Sequence, residues 1–201
     1  MKNFIFGASG HAYVLASVLD VDVTFVVSSN AGAGQMLEYD FFHRIEDFRR
    51  SNIYIGIGNN SVRKAIYCKL SSFDMKVSNC ISKNSFISRD AQLGQGVAIL
   101  HGSVVGARAV IADNTIVNTL SSVDHDCVLG IHSQVTAGVT FGGTVKTGSG
   151  CFFGLKTGII PNIVIGDNVV VMAGSLVTKN APDNVLIGGS PAQIIRRIDA
   201  A

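Results

Sequence analysis

A triangular parallel β-solenoid preceded by a small parallel α/β sheet is the fold class that this sequence predicts, and three observations carry the prediction. Residues 81–182 divide into seventeen consecutive blocks of six without a slip, and sixteen of the blocks open on Ile, Leu, Val or Phe, the exception being Thr147. Within the blocks Gly, Asn and Asp recur, often in the second to fourth places, as at Gly94, Gly106, Asn114, Gly130, Gly154, Asp167 and Asn168. Near residue 76 the composition shifts, and the residues before it alternate short apolar runs with helix-like stretches.

The period of six excludes the simpler readings. A helix would repeat its apolar residues at three and four, and an antiparallel strand at two. Here a short strand, a corner and another short strand follow one another, with Gly, Asn and Asp able to turn the chain or accept positive φ. Each repeat can bury its apolar residue only when the next coil stacks on it. Three hexads make one turn, so residues eighteen apart lie one above the other at the strand spacing of about 4.8 Å. The hexads then form between five and six coils. The inward Ile, Val and Leu rows are core, each side chain contributing about 1.5 to 3 kcal/mol.

The 201 residues divide best into two parts, 1–76 and 77–201, the second ending in a cap. Net charge is +2, with 16 Lys and Arg against 14 Asp and Glu and no basic run, which disfavours nucleic acid as a partner. The opening apolar stretch at Phe4, Ile5 and Phe6 ends at Gly7, too soon for a signal peptide or a membrane span. The four cysteines, Cys68, Cys80, Cys127 and Cys151, have no CxxC spacing and need not pair, so a cytoplasmic location is expected. Cys127 and Cys151 take the fifth places of their hexads and read as structural.

In the first part, Asn3 to Phe6 reads as a strand, Gly7-Ala8-Ser9-Gly10-His11 as a Gly-rich turn, and Ala12 to Leu19 as a helix. Val23 to Val27 and Ile53 to Ile57 read as further strands, Ile45 to Arg50 as a short helix, and Ser61 to Leu70 as a helix behind Gly58-Asn59-Asn60. Such alternation predicts a parallel sheet with ligands at the carboxyl ends of its strands. Backbone amides behind Gly7 and Gly10 suit a phosphate. The turn is GxxG, and Ser28, Ser29 and Asn30 stand where a dinucleotide reader would carry an acidic residue, which disfavours a dehydrogenase. A mononucleotide or nucleotide sugar fits the small sheet better.

Of the five histidines, His101, His125 and His132 fall in the hexads, and their different remainders modulo eighteen place them at different points around the prism. One chain cannot gather them on a metal. The hexads resemble those of the γ-class carbonic anhydrases, but there the close His pair is separated by four residues and here by six, so no metal is expected. His125 stands between Asp124 and Asp126, where carboxylates can hold an imidazole in one tautomer and make it more basic, as a general base requires. Eighteen residues on is Gly143, whose neighbourhood, Gly142-Gly143, is expected to expose backbone N–H where a reacting carbonyl could accept it.

The order GASGHA, GIGNNSVRK, VDHDCVLG, IGGSPAQIIR resembles the bacterial nucleotide-sugar acetyltransferases that act on UDP-linked 4-amino sugars, the GDP-perosamine N-acetyltransferases, and the sialic acid O-acetyltransferases. The resemblance implies a small Rossmann-like domain, a left-handed β-helix, and a homotrimer binding acetyl-CoA between adjacent prisms, with no metal. By that resemblance His125 is the general base, Asp126 orients it, and Asn118 touches the amino sugar. Gly143 holds the thioester carbonyl, while Gln134, Leu155 and Ala173 follow the coenzyme. Ser9, Gly10 and His11 meet the nucleotide phosphates, the Gly58-Asn59-Asn60 turn with Arg63 completes that pocket, and the Gly188 to Arg196 segment closes the coenzyme end. Two departures from the pattern stand out: Ser28 and Ser29 replace paired aspartates, and Gln134 replaces a histidine, with His132 two positions earlier.

The function expected is therefore acetyl-CoA-dependent N-acetylation of a nucleotide-linked amino sugar, of the 4-amino-4,6-dideoxy type, in surface glycan synthesis. The alternatives are O-acetylation of a sialic acid or other sugar, and a non-catalytic trimeric scaffold that binds sugar nucleotides.

Overall fold

The computed structural model describes residues 1–26 and 46–199. Strands β1 (Asn3–Phe6), β2 (Thr24–Val26) and β3 (Asn52–Ile55) form a parallel sheet in the order β2-β1-β3. Helices α1 (Gly10–Leu19) and α2 (Asn60–Ser71) follow β1 and β3. Residues 46–49 are helical, but Val27, Ser28, Ser29, Asn30, His43 and Ile45 lie outside the described residues. Asn59 caps α2, its side-chain oxygen accepting the Val62 N–H at 3.1 Å. Beyond β3, Gly56 has no room for a side chain: a Cβ there would come within 2.6 Å of the Ala12 Cα. That bare backbone lets the end of β3 close against α1.

From Cys80 to Val177 two-residue strands recur every six residues, and each up to Gly158–Ile159 pairs in parallel with the strand eighteen residues on, as Ile116 with Gln134 and Val117 with Val135. The strands fall into three sheets. Sheet one contains Ile116–Val117, sheet two Ser122–Val123 and sheet three Val128–Leu129. Between them the chain turns three corners: the first after sheet one, the second after sheet two, the third after sheet three. Every sixth residue from Gly96 to Gly174 has positive φ, including the non-glycines Arg108, Leu120, Asp126, His132, Thr144 and Lys156. This is the fourth place of each hexad, where the left-handed conformation turns the corner.

The first place of the hexad points inward, so that Ile99, Val117, Val135 and Phe153 share one buried cluster. Thr147 keeps the pattern because its hydroxyl accepts the Gly130 N–H at 3.2 Å. The fifth place forms a second inward row of small residues, including Ala109, Cys127, Val145 and Cys151. Burial pushes the Cys151 thiol up to about 12, which suits an inert core residue. The outer side of sheet one is covered at its base: Cys80, Ala98 and Ile116 pack with Leu15 of α1 and Ile5 of β1. A terminal antiparallel hairpin, Val185–Gly189 with Ala192–Arg197, extends the same sheet. No helix among the described residues is long and apolar enough to cross a membrane.

Candidate active site

At the second corner, His125 and Asp126 are adjacent in sequence, and the left-handed φ of +58° at Asp126 belongs to the corner itself. The imidazole Nδ1 lies 2.8 Å from Asp126 Oδ2. On the preceding coil Arg108 clasps the same carboxylate with two bonds, Nε to Oδ1 at 2.7 Å and Nη2 to Oδ2 at 2.8 Å. The guanidinium, and then the imidazole, hold the Asp126 carboxyl down at about 2, so it is a carboxylate across the physiological range. Asp124 makes a different contact: its Oδ1 accepts the His125 backbone N–H at 2.7 Å.

On the following coil Gly143 covers the ring. A Cβ at Gly143 would stand 2.5 Å from both Cε1 and Nε2 of His125, and the Thr144 N–H donates to the His125 carbonyl at 2.8 Å. The eighteen-residue register therefore places glycine over histidine as expected. One part of the expectation is corrected: the Gly142 N–H donates to Ile159 O at 2.9 Å, so of the two glycine amides that of Gly143 alone has no partner among the described residues. Arg108 was not singled out from the sequence, although adding eighteen to it leads directly to Asp126.

The remaining expected residues do not gather at this corner. Asn118 sits at the first corner, one prism face away, and its side-chain oxygen accepts the Thr119 N–H at 2.7 Å. Leu155 and Ala173 stack at the same first corner, where the Gly174 N–H donates to Leu155 O at 2.7 Å. Gln134 stands on the outer side of sheet one, nearly buried, with its Oε1 unpaired among the described residues. It is thus separated from Gly143, Leu155 and Ala173, because a strand residue cannot share a column with corner residues. His101 and His132 lie at the first and third corners, bonded to Ser82 Oγ at 2.9 Å and to Asn114 Nδ2 at 2.8 Å.

In the amino-terminal sheet the Gly-rich turn leads into α1, whose N-cap Ser9 makes no side-chain cap bond. A Cβ at Gly10 would meet nothing within 4 Å. The His11 Nε2 is buried without a partner among the described residues, and burial, aided by the charge of Arg63, lowers that imidazole to about 4. Gly58 is open, whereas the Asn59 oxygen is committed to its cap.

Arg63 corrects the expectation that it completes a phosphate pocket. Only 1% of it is exposed, and its guanidinium is spent on protein oxygens. It donates to Gly58 O at 3.2 Å and Asn60 Oδ1 at 2.8 Å on its own side, and to Asn114 O at 3.2 Å and His132 O at 3.0 Å on the β-helix. Its role is to staple α2 to the third corner. The signal was ambiguous in sequence because an Arg one turn into a helix after a Gly-Asn-Asn loop reads equally as anion ligand or staple.

The combination of hexad coils, three parallel sheets and a histidine–carboxylate pair under a glycine fits a left-handed β-helix acetyltransferase fold. No protein-family model matches the chain. The acetyltransferase domain of PglB from Neisseria gonorrhoeae, solved with acetyl coenzyme A, superposes with a TM-score of 0.87 at 24% identity, over 96% of this chain and 98% of that one. Perosamine N-acetyltransferase from Caulobacter crescentus, solved with CoA and GDP-perosamine, gives a TM-score of 0.82 at 28% identity, over 96% of each chain. Serine acetyltransferase 4 of Arabidopsis thaliana is 34% identical over 119 residues, which are 54% of this chain and 28% of that protein. The chain thus spans less than a third of the length of this curated relative. The homologues and structural neighbours are acetyltransferases, and CoA or acetyl-CoA is the co-substrate found with the neighbours.

Proposed function

We propose that this protein transfers an acetyl group from acetyl-CoA to the amino group of a nucleotide-linked amino sugar. The observation that carries the reading is the second corner: an imidazole tied through Nδ1 to a carboxylate, with its Cε1–Nε2 edge against the bare Cα of Gly143. The His125 ring packs directly on Gly143, where a Cβ would stand 2.5 Å from Nε2, so the thioester is assigned to the side of this pair and not to a gap between its members. His125 Nε2 takes the proton from the amine as its nitrogen bonds to the acetyl carbon. The Gly143 N–H meets the carbonyl oxygen as it gains charge. When the carbon–sulfur bond breaks, the imidazolium returns its proton to the thiolate, leaving CoA, the N-acetylated sugar and neutral His125.

The nucleotide is assigned to the amino-terminal unit, residues 1–76, read as a small Rossmann-like domain; the β-helix and cap, 77–201, hold the acyl donor. Support comes from the open α1 N-terminus at Ser9 and Gly10, from the unpaired Nε2 of His11, and from the space at Gly58 beside the Asn59 cap. The residues assigned to one groove lie on two corners of one prism: His125, Asp126 and Gly143 on the second, Asn118, Leu155 and Ala173 on the first. Two copies packed edge to edge would bring the sets together, so the functional form is proposed as a homotrimer with sites between subunits. The outer face of sheet two, which joins those corners, exposes Phe86, Val104 and Leu176, as an interface would require. Gln134 is retained as a coenzyme contact only through such a neighbour. A cytoplasmic location and a 4-amino-4,6-dideoxy acceptor for surface glycan synthesis complete the reading.

The test is to incubate the protein with acetyl-CoA and UDP-, GDP- and CMP-linked amino sugars and to follow thiol release. Release with an amino sugar, and none with its deaminated counterpart, is expected. Release with sialic acids alone would establish O-transfer, and tight sugar-nucleotide binding without release would establish a scaffold.

A further inference from the structure

Asp126 is bound from two sides by groups of different kinds. His125 approaches it within the corner, and Arg108 reaches up from the coil before with two bonds of 2.7 and 2.8 Å. The two-point clasp fixes the carboxylate plane, which a single bond or a point charge would leave free to rotate. Oδ2 accepts from both partners, so any rotation of the carboxylate would also move the imidazole.

Arg108 itself occupies a left-handed corner with φ +56°. Glycine or asparagine fits that backbone more easily, and they fill eight of the fourteen equivalent corner positions from Gly96 to Gly174. An arginine there gives up backbone comfort for what its side chain reaches. The other charged groups facing this cluster are Asp124, turned to the His125 N–H, and Asp90, one coil below Arg108.

We propose that Arg108 is a positioning residue for acyl transfer: by gripping both oxygens of Asp126 it locks the carboxylate on His125 Nδ1–H and keeps the Nε2 lone pair under the Gly143 amide. The inference rests on the acetyltransferase reading for its consequence in catalysis, but its geometry can be read without it. Arg108 touches neither sugar nor thioester. It acts through Asp126.

The experiment compares wild type with Arg108→Asn, which suits the left-handed backbone and keeps the fold, and with Arg108→Lys, which keeps the charge but not the clasp. The kinetics of acetyl transfer are measured, and the tautomer of the His125 imidazole is read by nitrogen NMR in the same proteins. For Arg108→Asn, kcat is expected to fall about tenfold to a hundredfold with KM for acetyl-CoA changed less than about twofold. In the nitrogen spectrum the single Nδ1–H tautomer is expected to give way to a mixture of tautomers once the clasp on Asp126 is lost. Arg108→Lys, which loses the two-point grip, should recover only part of kcat and of the Nδ1–H tautomer. Wild-type turnover in Arg108→Asn, or a His125 tautomer unchanged from wild type, would overturn the proposal. If wild type itself acetylates no amino sugar, the functional reading fails on its own, and the tautomer measurement still decides whether Arg108 controls His125.

Discussion

Gly143 lies against the His125 ring so closely that a Cβ on it would stand 2.5 Å from Nε2. Gly143 does not have the positive φ that would make alanine strained, and the His125 side chain is 54% exposed and can swing outward. Gly143→Ala should therefore leave the melting temperature nearly unchanged, within about 0.5 kcal/mol. Displacement of the imidazole should lower kcat by about a hundredfold. Calorimetry with steady-state kinetics checks both halves, and an active Gly143→Ala would remove the glycine amide from the mechanism.

Asp126 supplies a pH prediction whose sign follows from its depressed pKa. Its folded pKa, about 2, lies below the ordinary carboxylate value of 3.8, so the stability it contributes is complete above the latter and is lost as pH falls through about 2. The stabilities of wild type and Asp126→Asn should therefore differ at neutral pH and converge near pH 2. Chemical denaturation across that range measures it. A difference that persists below pH 2 would show that the carboxylate charge is not what the clasp uses.

Arg63 predicts the largest loss of stability. Arg63→Met leaves the carbonyls of Gly58, Asn114 and His132 without their buried donor. The expected penalty is about 3 kcal/mol or more, or roughly 6 to 12 °C in Tm for a chain of this size. A small shift would mean that water replaces the guanidinium.

Thr144 is a β-branched residue held at φ +64° in the corner beside Gly143. Thr144→Gly should relieve that strain and stabilise the protein by about 0.5 to 1 kcal/mol. A Tm lower than wild type would show that the threonine side chain makes a compensating contact.

Much of this was legible before any coordinates. The hexads set which residues point inward, and counting eighteen set Gly143 over His125. The same count links Arg108 to Asp126 and shows that Asn118 and His125 belong to different corners. Arg63 could not be placed that way. Its burial depends on how the amino-terminal sheet docks on the third corner, a contact with no periodicity. The commitment of the Gly142 N–H to Ile159 O was likewise hidden, because the pattern shows where a residue sits and not which of two neighbouring amides the ladder consumes.

The central claim is that the His125 imidazole takes the proton during acetyl transfer. The direct measurement is the single-turnover rate of acetyl transfer to a nucleotide amino sugar by wild type and His125→Ala, with the melting temperature as control. The account predicts a rate lower by about a hundredfold to ten-thousandfold at unchanged melting temperature. A His125→Ala protein that transfers acetyl at the wild-type rate would contradict it.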